Sequence, residues 1–475
     1  MNTPALTDKT VMTHLDWQYF TVPQKHAAFA MQNNRSFWPR GRTIGGTSAI
    51  NSQVYMRGSR HDFDQWEAQG AKGWSYKDVL PYFKKSENIL YHGNGGPMEI
   101  SDSAQSRLVD VFLQGGKDLG YNIIDCNGNN GDEIGFCRLQ SFYGSGYRSS
   151  TGRSFIKPII GRKNLHIGTN AHVSKILFEN KKAVGLEFIH KGLKKQVFVK
   201  KEIVLSGGAI GSPQILLLSG VGPKKHLKEL NIPVIADLPV GENLQDHLMF
   251  PFAIESNVTW SITPDQITSF WSNLQYNVFG TGLLSWSGRE ASAFLRTNSK
   301  DPDQAPDIQF LLHSVHGKYS KKFAFIKYYK EEIKRELFPE SDNVPPGTRF
   351  TIGMMAPMHP KSAGTIRLKS TDPFDYPLID PRYLEKIEDA MTFVRGIRTV
   401  MKLVKTKSFQ KIGAKLADMR YSFCKDHKYD TDEYWVCVVR YTVLTNYHPT
   451  STCKMGDAKD KTSVVDPELR KAGKL

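Results

Sequence analysis

Arg40-Gly41-Arg42-Thr43-Ile44-Gly45-Gly46-Thr47-Ser48-Ala49-Ile50-Asn51 is the stretch on which the reading of this 475-residue chain turns. Two adjacent glycines carry no side chains, so backbone N–H groups there can approach a bulky anionic or planar ligand closely. Thr47 or Ser48 is then placed to cap a helix whose positive end faces that ligand. A bare Gly-Gly-Thr-Ser is only a tight turn before a helix, so its meaning rests on the residues around it.

Outward from this turn the chain has clear texture. Tyr55-Met56-Arg57-Gly58 follows, and Asp62 to Tyr82 reads as a helix, a Gly-Trp turn at Gly73-Trp74, and a second helix ending near Phe83-Lys84-Lys85. From about 164 to 205 the apolar residues alternate in short runs, Val173–Phe178, Ala183–Ile189 and Lys195–Leu205, which predicts a β-meander. The meander runs into Gly207-Gly208-Ala209-Ile210-Gly211-Ser212-Pro213-Gln214, where Ser212 as cap and Pro213 at the first position predict a helix over Gln214–Leu218. Pro239 to His247 reads Pro-Val-Gly-Glu-Asn-Leu-Gln-Asp-His, and the stretch from 248 to 380 has mixed strands and Pro-rich loops. Asp389 to Lys405 reads as an amphipathic helix.

Composition sets limits. The balance of 63 Lys and Arg against 47 Asp and Glu leaves +16, read here as a basic solvated surface. The basic, aromatic tract from Lys318 to Arg335 contains Glu331 and Glu332 and sits in no nucleic-acid module, so it is read as a surface helix or loop and no nucleic-acid partner is expected. No apolar run approaches the roughly 18–20 residues that span a bilayer, and Met1 to Trp17 does not have the form of a signal peptide. Five cysteines without a Cys-x-x-Cys pair argue against zinc, and no metal is expected; Cys126 and Cys137, flanking a Gly/Asn-rich loop, are candidates to pair.

A third constellation is Asn446-Tyr447-His448-Pro449-Thr450-Ser451-Thr452-Cys453-Lys454-Met455-Gly456. A neutral imidazole suits acceptance of a hydroxyl proton near neutral pH, and Pro449 disfavours helical backbone at His448, which helps to aim the ring. His247 is read as a packed, hydrogen-bonded histidine at a domain junction.

Together the segments from Gly41 to Gly58, Asp62 to Glu87, Gly207 to Pro223, Pro239 to His247, His359 to Leu368, Asp380 to Leu384 and Asn446 to Gly456 resemble the glucose–methanol–choline (GMC) family of FAD-dependent alcohol oxidoreductases. The resemblance runs from about Trp17 to Leu469, and Gly280–Phe294 with Ala305–Gln309 is similar to insect members, which include glucose dehydrogenases and ecdysone oxidases. It implies an α/β (α+β) fold, with an FAD/NAD(P)-binding Rossmann-like domain, incomplete here, and a substrate domain on an antiparallel sheet. The expected division is 1–247 and 381–475 for the FAD-binding region and 248–380 for the substrate domain. It implies FAD as cofactor, with Thr43, Gly45, Gly46 and Asn51 on the flavin and the backbone of Val173 at the adenine end. His448 becomes the base for hydride transfer from an alcohol (sugar, steroid or simple alcohol) to the flavin, with oxygen or a quinone as acceptor. By family a secreted location is expected. The alternative is a catalytically silent, ligand-binding relative. Ser451 stands where the family usually has glycine.

Two family features have no counterpart in this sequence: the strand–G-x-G-x-x-G–helix unit that holds the FAD pyrophosphate, and a second catalytic His or Asn after Val464-Val465-Asp466-Pro467. An incomplete gene model is the simplest account. The expectation is that neighbours of the absent strand expose apolar residues and unpaired backbone, and that residues 1–475 alone are poorly soluble and colourless.

Overall fold

The computed structural model describes residues 3–103, 106–129, 134–298, 305–316, 324–337 and 349–470. The two helices expected after the glycine turn are α1, Arg60–Ala68, and α2, Tyr76–Ser86. Ser59 and Ser75 cap them by accepting from His61 N and Asp78 N, which satisfies donors that a helix start leaves without intrahelical partners. Helix α3, Arg107–Asp118, precedes the short strand β1, Gly135–Arg138.

The meander is present but shorter than expected. It comprises β2, Ala171–Glu179, β3, Lys182–His190, and β4, Leu193–Phe198, paired antiparallel in that order. The expected run to Leu205 ends at Phe198, because residues 202–206 have no ladder partner among the described residues, and Val204 is 78% exposed. Alternation alone does not make a strand without a neighbour to take its hydrogen bonds. Ile160 and Ile167 are also exposed. Helix α4 spans Gly208–Leu218, beginning earlier than the Ser212-Pro213 signal predicts. Gly207 is its cap and Pro213 lies inside the helix.

The other half is built on one antiparallel sheet. Its strands are β5, Leu248–Ser256, β6, Arg289–Leu295, β7, Ile308–His316, and β8, Arg349–Pro357. After helix α5, Ile387–Leu403, come β9, Lys415–Leu416, helix α6, Asp432–Thr442, and β10, Leu444–Thr445. The order is β9-β5-β8-β7-β6-β1, with β10 paired to the start of β5. The sheet thus takes strands from both sides of the 248–380 segment.

Period-two alternation divides the core between the two faces of this sheet. Phe250, Phe252, Ile254, Phe310, Leu312 and Met355 pack with Phe393, Val394, Ile397 and Val400 of α5. On the opposite face Met249, Leu311, Ile352 and Met354 pack with Met31, Tyr329 and Ile333. The basic tract is therefore more than a surface feature: Tyr329 and Ile333 are core anchors, while residues 317–323 of it lie outside the described residues. Cys126 and Cys137 are disulfide-bonded, as their spacing allows, and a second disulfide, not expected, joins Cys424 to Cys437 on α6.

Candidate active site

The glycine turn adopts the geometry its residues suggest. Gly45 and Gly46 have φ of +93° and +53°, a region that L side chains rarely adopt. A Cβ on Gly45 would come within 2.9 Å of Gly152 N, whereas one on Gly46 would meet nothing within 4 Å. The turn is thus packed on one side and open on the other. The helix expected after it is a single 3₁₀ turn, Gly46–Ala49, without a side-chain cap. Thr47 Oγ1 instead accepts from Gly41 N at 3.2 Å, and Ser48 Oγ donates to Gly45 O at 2.6 Å. Thr43 closes the turn by accepting from Gly46 N through its carbonyl at 2.9 Å.

Asn51 is held by a residue that sequence reasoning missed. Buried Arg148 donates from Nη1 to Asn51 O at 2.6 Å and to Asn51 Oδ1 at 2.8 Å. The amide oxygen is engaged, so the Asn51 carboxamide has a fixed orientation. Burial, with Arg289 nearby, lowers the Arg148 guanidinium to about 10.

The three sequence motifs meet at the loop Tyr447–Thr452. From the glycine segment, Arg40 Nη1 donates to Tyr447 O at 2.5 Å. From the start of α4, Ala209 O accepts from Thr452 Oγ1 at 2.7 Å. From the Pro239–His247 segment, Gly241 N donates to Thr452 O at 2.8 Å, and Gln245 and Thr450 exchange backbone bonds at 3.2 and 2.8 Å. Val173 is farther out, on β2. It reaches the glycine segment through its neighbour His172, whose ring lies 6.0 Å from Trp17, itself 4.7 Å from the Arg42 guanidinium carbon.

At the centre of this convergence are two imidazoles. His247 Nδ1 and His448 Nε2 are 3.0 Å apart, with rings nearly perpendicular at 87°. His247 Nε2 lies 2.7 Å from Met358 O. Both rings have lowered pKa values: desolvation is the main cause at each, followed at His448 by the charges of His247 and Arg40. Both shifts favour the neutral ring near pH 7; His448 is exposed to solvent, which weakens the shift there. His247 is packed and hydrogen-bonded as expected, but its partner is the candidate base itself.

A buried carboxylate staples the two histidine-bearing segments. Asp246 Oδ2 accepts from Tyr383 OH at 2.5 Å and from Thr445 Oγ1 at 2.6 Å, while Trp38 Nε1 donates to Tyr383 OH at 3.0 Å. Burial raises the Asp246 carboxyl to about 6, with Thr445, Tyr383 and Arg40 pulling the other way. Asn446 N donates to His247 O at 2.7 Å, and β10 pairs with β5 one residue beyond His247. Ser451, at the position where glycine is usual, takes φ +76°. The serine thus holds a left-handed backbone at some cost.

The glycine turn, the neutral histidine and the oriented Asn51 fit the flavin end of an FAD. Gly208 and Gly211 of α4 offer further room, since a Cβ on either would meet nothing within 4 Å. Among the described residues no cluster of His, Cys, Asp or Glu is arranged to hold a metal, and no helix is long and apolar enough to cross a membrane.

Comparison with known proteins identifies the family. Family models described as GMC oxidoreductase match residues 19–249 and 360–473. A glucose dehydrogenase [FAD, quinone] of Drosophila pseudoobscura pseudoobscura is 35% identical over 99% of this chain and 74% of its own length. An alcohol dehydrogenase [acceptor] of Pseudomonas putida is 35% identical over 97% of this chain and 79% of its own. Among solved structures, pyridoxine 4-oxidase from Mesorbium loti superposes with a TM-score of 0.79 at 26% identity, covering 99% of this chain and 84% of that one. With two family models matched over most of its length and relatives aligned over nearly all of it, the chain belongs to the GMC oxidoreductases, FAD-dependent enzymes that oxidise alcohols.

Proposed function

We propose that the protein oxidises an alcohol by transfer of a hydride from the carbinol carbon to FAD, with His448 as the base that takes the hydroxyl proton. The observation that carries this reading is the His448 ring: exposed, and carried by a loop bonded to the glycine segment, the start of α4 and the Pro239–His247 segment. When bound, FAD supplies the hydride acceptor. The chain's own residues do the rest. His448 holds the hydroxyl in hydrogen bond and receives its proton, so that charge on oxygen does not build up as the C–H bond breaks. Thr43, Gly45 and Gly46 line the flavin side, Asn51 meets it with an amide whose orientation Arg148 sets, and the backbone of Val173 lies toward the adenine end.

The substrate is an alcohol of the sugar, steroid or simple class. The quinone in the name of the fly relative supports a quinone as acceptor rather than oxygen. The two disulfides support an oxidising compartment such as the secretory route. The division at about 247 and 380 is retained as the proposed boundary of the substrate domain. The test, on protein with the FAD pyrophosphate-binding unit and C-terminal segment restored and flavin bound, is anaerobic reduction by an alcohol and by the same alcohol deuterated at the carbinol carbon. Slower bleaching with deuterium is expected; equal rates in the reductive step would overturn hydride transfer.

A further inference from the structure

Two Asn-x-Ser/Thr sequons, Asn34-Arg35-Ser36 and Asn257-Val258-Thr259, play no part in the site described above. The fold treats them differently. Asn34 is half-buried, its Oδ1 accepts from Lys330 Nζ at 3.3 Å, and its carbonyl accepts from Gln24 N at 2.9 Å. Ser36, whose hydroxyl the sequon must offer, is buried. Its N donates to Thr21 Oγ1 and its carbonyl accepts from Thr21 N, both at 3.0 Å. Asn257, by contrast, directly follows β5. Asn257 and Thr259 are exposed, whereas Val258 and Trp260 are half-buried and pack against the core of the sheet. This alternation anchors the segment by its apolar residues and turns the amide and the hydroxyl of the sequon outward. Asn257 N donates to Ile412 O at 3.0 Å, and its side chain lies over Gly413, where a Cβ would collide with Nδ2. Among the described residues no hydrogen bond holds the Asn257 carboxamide.

We propose that Asn257 is an N-glycosylation site, and that Asn34 carries no glycan in the folded protein although it heads a sequon of the same form. This rests on the reading that the protein passes through the secretory route, which its two disulfides support. The sugar donor there is a lipid-linked oligosaccharide pyrophosphate. Asn257 Nδ2 forms a bond to C1 of the first sugar as the C1–O bond to the pyrophosphate breaks. The lipid pyrophosphate leaves with that electron pair and the amide gives up one proton, so nothing is oxidised or reduced. The position gives the glycan a role. β5 pairs with β9 through Ile254 with Leu416 and Glu255 with Lys415, and among the described residues no strand pairs with the other side of β9. A sugar chain that leaves from Asn257, just past Glu255, stands at this open edge and obstructs the addition of a strand from a second chain.

The test uses protein secreted from insect cells behind an appended signal peptide, with the FAD pyrophosphate-binding unit and C-terminal segment restored. Treatment with peptide N-glycosidase in heavy-oxygen water, followed by mass spectrometry of peptides, reads each site, because the enzyme leaves a labelled aspartate wherever a glycan stood. Label is expected at position 257, and unlabelled asparagine at position 34. Asn257→Gln and Thr259→Ala are each expected to abolish the glycosidase-sensitive shift in electrophoretic mobility, and Asn34→Gln to leave it in full. An unmodified Asn257, or a glycan on Asn34 in the secreted protein, would overturn the assignment. Light scattering of the parent and of Thr259→Ala tests the role. More self-association is expected without the glycan, and equal association would overturn the shielding of β9. The compartment reading is tested apart, on protein isolated from its natural source. Reduced Cys126, Cys137, Cys424 and Cys437 there would sink the secretory reading, while a labelled position 257 in the secreted protein would still support the acceptor site.

Discussion

Between Tyr447 and Thr452 the chain is met by hydrogen bonds from the glycine segment, from the start of α4 and from the segment before β5, whereas at Gly46, Gly208 and Gly211 a side chain would meet nothing within 4 Å. Under the proposed function both regions serve one site, and they are built in opposite ways. The histidine loop would work by what holds it, because a proton acceptor must stay within a few tenths of an ångström of its partner. The glycine turns would work by what they leave open, because a planar cofactor needs backbone without side chains. Removing an atom from the first region or adding one to the second should therefore do damage of different kinds.

The largest effect on stability is expected from subtraction at Asp246. Asp246→Leu leaves Tyr383 and Thr445 without their common partner and removes a negative charge that acts on Arg40. Loss of one member of such a buried set costs about 3–5 kcal/mol, measurable by denaturant unfolding. A loss below about 1 kcal/mol would mean that the staple contributes little.

Asp246 also has a pH signature. Its folded pKa, raised by burial to about 6, lies above the unfolded value of about 3.9. The folded state then binds this proton more tightly than the unfolded state, so the contribution to stability is complete below pH ~4 and is lost as pH rises through about 6. Asp246→Asn cannot ionise. Its unfolding free energy relative to the parent should rise by on the order of 2–3 kcal/mol between pH 4 and 7. A difference constant with pH would contradict the raised pKa.

Addition at the open region comes next. Gly46→Val places a β-branched side chain where there is space and where φ is +53°. Flavin affinity should fall at least about tenfold, roughly 1.4 kcal/mol, by more than the loss in folding stability. Flavin titration and thermal unfolding of the same variant compare the two, and unchanged flavin content would remove the turn from the cofactor site. The smallest effect tests the histidine loop from the opposite direction. Ser451 holds φ +76°, so Ser451→Gly should stabilise by about 1 kcal/mol, seen as a small rise in Tm. A fall in Tm would mean that the serine side chain is needed.

What could be read from the sequence followed local rules. Glycine pairs and period-two alternation act over a few residues, so the turn at Gly45-Gly46 and the meander β2–β4 were legible, as were helices α1 and α2, whereas the larger antiparallel sheet came only with the family resemblance. His448 was legible because Pro449 and its neighbours carry a family pattern. Its partner was not: His247 is 201 positions away, and nothing around it distinguishes a packed histidine from one aimed at a base. The adjacent acidic residue Asp246 was the available signal, but its partners Tyr383 and Thr445 lie 137 and 199 positions away. Cys424 and Cys437 were missed because one lies in a 3₁₀ turn and the other on α6, and only the packing of those elements brings them together. The strand expected through Leu205 failed for the converse reason. Its local pattern is sound, yet no neighbouring strand among the described residues pairs with 202–206.

The central claim is that the loop carrying His448 serves alcohol oxidation on the flavin face of the glycine turn. Its most direct test is stopped-flow bleaching of bound flavin by an alcohol, without oxygen, in the flavin-loaded protein and in His448→Ala. The account predicts that the variant retains flavin and bleaches about 10²–10⁴-fold more slowly. Bleaching at the parent rate, with flavin still bound, would contradict it and place the base elsewhere.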